Sequence, residues 1–197
     1  MKKTKEELVN DCLKLCKENS PKDVIFFNIG IVKAKSLGAF YKANLFVITV
    51  GTLLMDIKLQ EARKAGIIEK HVEMSIEFAK VFLKNYSITE EEFNQIICCI
   101  REHHLIEHTS LEAEIVSNAD CYRFLYPISV FSYLKILLER GLNVHEALQQ
   151  VKNKVDEKYH LLTLSKAIEE LTDSYHSFEI LLRNIDEDYV SLTKDCL

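Results

Sequence analysis

Residues 43–55 read Ala43-Asn44-Leu45-Phe46-Val47-Ile48-Thr49-Val50-Gly51-Thr52-Leu53-Leu54-Met55, bounded by Lys42 and Asp56. This run is apolar on every side of a helical wheel, so a helix built on it has no face to offer water and must be enclosed by others. It is the predicted centre of the fold. A membrane span is excluded by length, because about 13 residues separate the two charges and a span needs about 20. The enclosing helices are therefore sought in the same chain.

They are legible on both sides. Leu8, Cys12, Leu15 and Cys16 share a face over 5–17, in a helix that ends near Ser20-Pro21, and a second helix is predicted over 23–35, stopped by Gly38. The polar stretch 58–64 reads as a connection. A helix over 69–86 carries Val72, Ile76, Ala79 and Leu83 on one face. Thr89 with Glu92 forms a capping box that opens a helix reaching His103 and His104. Ser110 caps the next, which bears Leu111, Ala113, Ile115, Val116 and Ala119, with Asp120 nearly three turns in and Pro127 just past its end. From about residue 128 onward three or four further helices are expected, one opened by Asn143 and Glu146. The acids Glu169, Glu170, Asp186, Glu187 and Asp188 read as a solvated face.

Composition agrees. The 197 residues include only 5 Gly and 2 Pro, too few for the turns of an all-β protein, and no linker or repeat interrupts them. The expectation is one all-α domain, long enough to bury about 70% of the surface its unfolded chain exposes. A net charge of −5 gives no broad basic surface, so nucleic acid is not an expected partner and a phosphate ligand needs a local site. The charged opening Met1-Lys2-Lys3-Thr4-Lys5-Glu6-Glu7 lacks the apolar core of a signal peptide, which places the chain in the cytoplasm. Neither a membrane nor disulfides are expected. Cys12, Cys16, Cys98, Cys99, Cys121 and Cys196 show no CxxC pair, and Cys98 and Cys99 read as small buried hydrophobes.

Against this background Asp56, His71, His103, His104 and Asp120 stand out, because they lie within or at the ends of helices and combine carboxylates with imidazoles. Such donors suit a divalent cation, and a cation suits phosphate-ester chemistry. Each also has a plainer reading. Asp56 can cap the following turn, His71 can sit solvated in a first helical turn, and one of His103 and His104 can serve the negative end of its helix. His108, His145, His160 and His176 fall outside the pattern.

The run Leu53-Leu54-Met55-Asp56-Ile57, then His71, then Ile100-Arg101-Glu102-His103-His104, then Ser110 to Asp120, resembles the HD superfamily of metal-dependent phosphohydrolases over roughly residues 22–125. The resemblance implies an HD-like helical core there and a C-terminal helical extension over about 128–197. The family pattern is an early His, a His-Asp doublet ending a buried helix, intermediate His residues and a late Asp. Here the early His falls near Asn28, and Met55 takes the place of the doublet His. Asn can offer a carbonyl oxygen to a hard cation, but a thioether is a poor ligand for Mg²⁺ or Mn²⁺.

The resemblance therefore implies a single shifted cation. Asp56, His71 and His103 or His104 would hold it, and Asp120 would complete the coordination or act as base. Such a donor set suits Mn, Fe, Co, Ni or Zn better than Mg. Lys58 or Arg101 would meet the phosphate of a small phosphate-containing ligand, an ester or nucleotide. The contrasting expectation is a catalytically inactive HD-like binding or signalling module. A homo-oligomer stays open.

Overall fold

The computed structural model describes residues 2–19 and 24–194. Helices follow one another as α1 (Lys5–Asn19), α2 (Val24–Tyr41), α3 (Leu45–Leu54), α4 (Leu59–Lys64), a 3₁₀ turn (Ile68–Lys70), α5 (His71–Leu83), α6 (Glu90–Glu102), α7 (Leu111–Leu125), α8 (Pro127–Glu139), α9 (Val144–His160) and α10 (Ser165–Thr193). No strand occurs among the described residues. One bridge ties the amino terminus down, with Lys3 N–H donating to the Asn85 carbonyl at 2.9 Å and Ser87 N–H donating to the Lys3 carbonyl at 2.7 Å. The expected stop at Ser20-Pro21 and the thiol of Cys196 lie outside the described residues.

The caps form as the sequence predicts. Thr89 and Glu92 close a reciprocal box, Asn143 and Glu146 another, and Ser110 accepts from Ala113 N–H at 3.1 Å. Asn44 caps α3 by accepting from Phe46 and Val47 N–H at 3.1 and 3.3 Å, and its own N–H donates to Glu112 at the start of α7. Every residue of α3 from Val47 to Leu54 is buried.

Four details differ from the sequence reading. α2 runs through Gly38 to Tyr41, because Gly38 is where α2 touches α3: a Cβ there would lie 2.8 Å from both Ile48 Cδ1 and Leu45 Cδ2. The reversal falls instead on Lys42, at φ 56°. The polar stretch is itself helical, as α4, and a 3₁₀ turn precedes α5. Of the five acids assigned to a solvated face, Glu170 pairs with Lys33 at 2.7 Å and Asp186 with Lys152 at 2.7 Å, so two of them tie helices together.

The fourth difference concerns the centre. α3 packs on α1, α2, α6 and α7, whereas α7 packs on α2, α3, α6, α8, α9 and α10. α7 is the hub. Hydropathy understates it because its buried side includes Ser117, Asn118 and Asp120 beside Ile115, Val116 and Tyr122. Asn118 shows how polarity is accommodated there. Its amide donates to the Glu114 carbonyl and Thr163 Oγ1, both at 2.9 Å, while its Oδ1 accepts from the N–H groups of Thr163 and Leu164 at 3.1 Å. This side chain satisfies the segment that enters α10.

The described cysteines are free, and Cys12, Cys16, Cys99 and Cys121 are buried while Cys98 is partly exposed. Among the described residues no helix is long and apolar enough to cross a membrane. Replacing Asn118 by Ala strands two backbone donors in the core and lowers the free energy of unfolding by about 2–4 kcal/mol. In a denaturant titration the exposed Asn85→Ala serves as reference and shifts little; equal midpoints for the two variants contradict the role given to Asn118.

Candidate metal centre

The turn after α3 delivers Asp56, the first residue of α5 is His71, and α6 ends directly before His103 and His104. Three local bonds fix this convergence. Ser75, fully buried on α5, accepts from Lys58 N–H at 3.2 Å and ties the Asp56 turn to the helix that carries His71. Glu102, buried at the end of α6, accepts from Thr109 N–H and Oγ1, both at 2.8 Å, and so closes the loop that follows the histidine pair.

One ligand atom each from Asp56, His71, His103 and His104 falls within 4.8 Å of the others, a group that could hold a metal ion. His71 Nε2 and His103 Nε2 both stand 3.5 Å from Asp56 Oδ1. His103 Nε2 and Asp56 Oδ1 are buried with no hydrogen-bond partner, so two costly polar atoms face each other unsatisfied. The opposite ring nitrogens are occupied. His71 Nδ1–H donates to the Ile68 carbonyl at 2.7 Å and His103 Nδ1–H to the Ile100 carbonyl at 2.8 Å, which points both Nε2 atoms inward. A cation answers both orphaned atoms, and the donor set fits one.

His104 is arranged differently. Its Nδ1 lies 3.0 Å from Lys158 Nζ. Burial opposes the charge of Lys158, but Asp120 outweighs it and raises the pKa, so the ammonium persists and can only donate. His104 Nδ1 therefore accepts, and its ring proton sits on Nε2, which is 3.3 Å from His71 Nε2. Burial, with the Lys158 ammonium adding to it, depresses the His104 pKa to about 3, so the ring is neutral.

Asp120 stands outside the four-residue group. Its Oδ1 accepts from Arg123 Nη1 at 2.7 Å and its Oδ2 from Lys158 Nζ at 2.6 Å. Arg123 Nη1 also donates to Asp56 Oδ2 at 2.7 Å, so one guanidinium spans the two carboxylates. Both oxygens of Asp120 are thus taken, against the expectation of a free ligand or base. Burial works to raise its pKa, but Lys158 and Arg123 overcome that and hold the carboxyl well below 3.8. Asp56 is likewise held low, the Arg123 guanidinium on its Oδ2 working against burial.

The other expected residues lie elsewhere. Asn28 is exposed, and the residues that α2 turns toward the site are Phe26, Phe27, Gly30 and Ile31. Lys58 pairs with Glu61 and lies over the Phe78 ring at 5.1 Å, away from the site, and Arg101 is exposed. Met55 is buried and does border the site.

A cavity of about 330 Å³ opens from the group, bordered by Asp56, His71, His104 and Asp120 and by five cations, Arg63, Arg123, Arg140, Lys154 and Lys158. Sequence reading missed the cations. Two signals were there: Arg123 follows Asp120 at i+3, and Lys158 continues the apolar stripe Ala147, Val151, Val155 of α9, where it is 0% exposed. Gly30 makes room for Arg123, since a Cβ there would meet Arg123 Cδ at 3.1 Å. Arg140, Lys154 and Lys158 all belong to the C-terminal segment, so the site draws on more than residues 22–125.

An all-helical bundle whose buried centre can take a divalent cation is the class that this geometry defines. Two solved structures share the architecture. One is a crystal structure of a predicted HD superfamily hydrolase from an uncultured Thermotogales bacterium, 18% identical, covering 93% of this chain and 92% of that one at a TM-score of 0.62. The other is a crystal structure of a Lactobacillus plantarum protein, 13% identical, covering 95% of this chain and 97% of that one at 0.73. No protein-family model and no curated protein matches the sequence. The chain has the all-helical fold of these two structures.

Lys158→Met leaves Asp120 buried with one cation, and Asp120→Asn leaves two cations short of a partner; each lowers stability by about 3–5 kcal/mol at neutral pH. Because the carboxyl pKa is depressed, its stabilisation is present above an ordinary aspartate's 3.8 and is lost as pH falls below it. The gap between wild type and Asp120→Asn in thermal unfolding therefore narrows on acidification below about pH 4. A gap that stays constant with pH contradicts this assignment.

Proposed function

We propose that this chain is a divalent-cation-dependent phosphohydrolase of small phosphate esters or nucleotides, with Asp56 Oδ1, His71 Nε2 and His103 Nε2 as the protein ligands. The observation that carries the reading is the pair of buried, partnerless atoms, Asp56 Oδ1 and His103 Nε2, facing each other at 3.5 Å. Two imidazoles and one carboxylate with open positions suit Mn, Fe, Co, Ni or Zn more than Mg. A cation bound there would supply a Lewis acid for a phosphoryl oxygen and lower the pKa of a neighbouring water.

The remaining roles belong to the chain. Arg123 orients Asp56 through Oδ2 and leaves Oδ1 facing the imidazoles. Its fixed positive charge lies beside the cavity, where a developing phosphoryl charge would be stabilised without reorganisation. Lys158 sets the His104 tautomer, so His104 Nε2–H can donate to a phosphoryl oxygen instead of ligating. Asp120 positions both cations and takes up no proton. Lys58, paired with Glu61, has no part in this scheme.

A silent binding module is the competing reading, favoured by Arg123 already spanning the two carboxylates with Met55 beside them. The two readings separate in one experiment. Elemental analysis of protein purified without chelator should give about one equivalent of transition metal in the wild type and none in Asp56→Ala/His71→Ala. His104→Ala should keep the metal and lose roughly 10²-fold in kcat toward an activated phosphate ester. Metal absent from the wild type even after soaking with Mn²⁺ and Zn²⁺ would sink the hydrolase.

A further inference from the structure

The cavity carries a second basic cluster that the cation chemistry leaves unused. Arg63, in the last turn of α4, and Arg140, which caps α8, both border it, together with Tyr133 of α8. Among the described residues neither arginine takes part in an ion pair. Lys154 on the same wall is by contrast neutralised by Glu157 at 2.8 and 2.7 Å. Arg63 Nε–H is buried and has no acceptor.

Burial lowers the Arg140 pKa, and the nearby Arg63 charge lowers it further. Arg63 is half-buried and Arg140 exposed, so water screens part of the repulsion but supplies no counter-ion. An anion between them offsets that repulsion, and the guanidinium fork matches phosphate oxygens in a bidentate manner. The surroundings select what such an anion is attached to. Phe26 and Tyr133, whose rings stack at 5.9 Å with 19° between their planes, both border the cavity, and Arg123 lies over the Phe26 ring at 4.8 Å.

We propose that Arg63 and Arg140 form an anion subsite, and that the cavity takes a small aromatic molecule bearing two phosphate groups, one at the Asp56–His71–His103 centre and the other between the two arginines. The two-ended ligand rests on the function proposed above; the arginine subsite does not. In an acidic chain of net charge −5, these two unpaired cations are what set an anionic ligand apart from a neutral one.

The first test uses chelator-treated full-length protein titrated with inorganic phosphate by calorimetry. Arg63→Gln/Arg140→Gln should weaken binding about tenfold or more, and Asp56→Ala/His71→Ala should leave it unchanged. Neither arginine change should lower the melting temperature of the ligand-free chain, because each relieves repulsion; a merely structural pair would lose stability. Phosphate binding that survives in the arginine variant, or that vanishes only in the Asp56→Ala/His71→Ala variant, overturns the subsite.

The second test uses manganese-loaded protein and phosphonates, whose carbon–phosphorus bonds resist hydrolysis. Phenylene or biphenyl bisphosphonate should bind wild type about tenfold tighter than phenylphosphonate, and the arginine variant should bind all three alike. Equal affinities in the wild type overturn the two-ended ligand. A chain that binds no metal but still binds phosphate through the arginines separates the failure of the hydrolase reading from that of this one.

Discussion

Everything at the centre of this molecule depends on how two carboxylates, one buried and one at the cavity's edge, are neutralised. Asp56 and Asp120 arrive from different helices, and Arg123 Nη1 donates to both at 2.7 Å while Lys158 takes the remaining oxygen of Asp120 at 2.6 Å. Desolvating four charges is expensive, and such a cluster taken whole adds little net stability. What it imposes is position, since each member is affordable only where its partners are. Asp56 is therefore held with one oxygen engaged and the other facing the imidazoles, and His104 is held in one tautomer by the same lysine that neutralises Asp120.

The fold was readable because it rests on periodicity and caps. The all-round apolar run of α3, the boxes at Thr89 and Asn143, and the Ser110 cap are local signals, and local signals survive the loss of three-dimensional context. Where the reading failed, the missing information was a contact between distant residues. Gly38 looked like a stop because glycine ends many helices, but it is a point of close approach to Ile48 and Leu45. α7 looked secondary because its burial is shared with Asn118 and Asp120, which are partnered by the segment entering α10 and by Lys158 of α9.

The site was legible to a smaller degree. The imidazoles and Asp56 announced themselves by residue type, and the structure gathers them. Asn28 illustrates the limit, since one residue of helical phase separates a side chain in solvent from Phe27, which borders the cavity. The cations were missed for another reason. Lys and Arg are so often exposed that their presence on an apolar stripe passes for tolerance at a helix edge. Lys158, in line with Val151 and Val155, is the instance where that stripe should have been taken at face value.

The bond between Lys158 and Asp120 has a consequence for how the chain opens. It joins α9 to α7, on either side of the turn at residue 126, with an interaction whose loss leaves bare charge in a dry interior. Apolar surfaces can slide and partly separate, but a desolvated ion pair admits no intermediate distance at tolerable cost. The pair thereby links α9 to α7, and amides in the core of both helices are expected to exchange in the same opening event. Matched hydrogen-exchange rates on the two sides of that turn would be the dynamic signature of this shared charge balance.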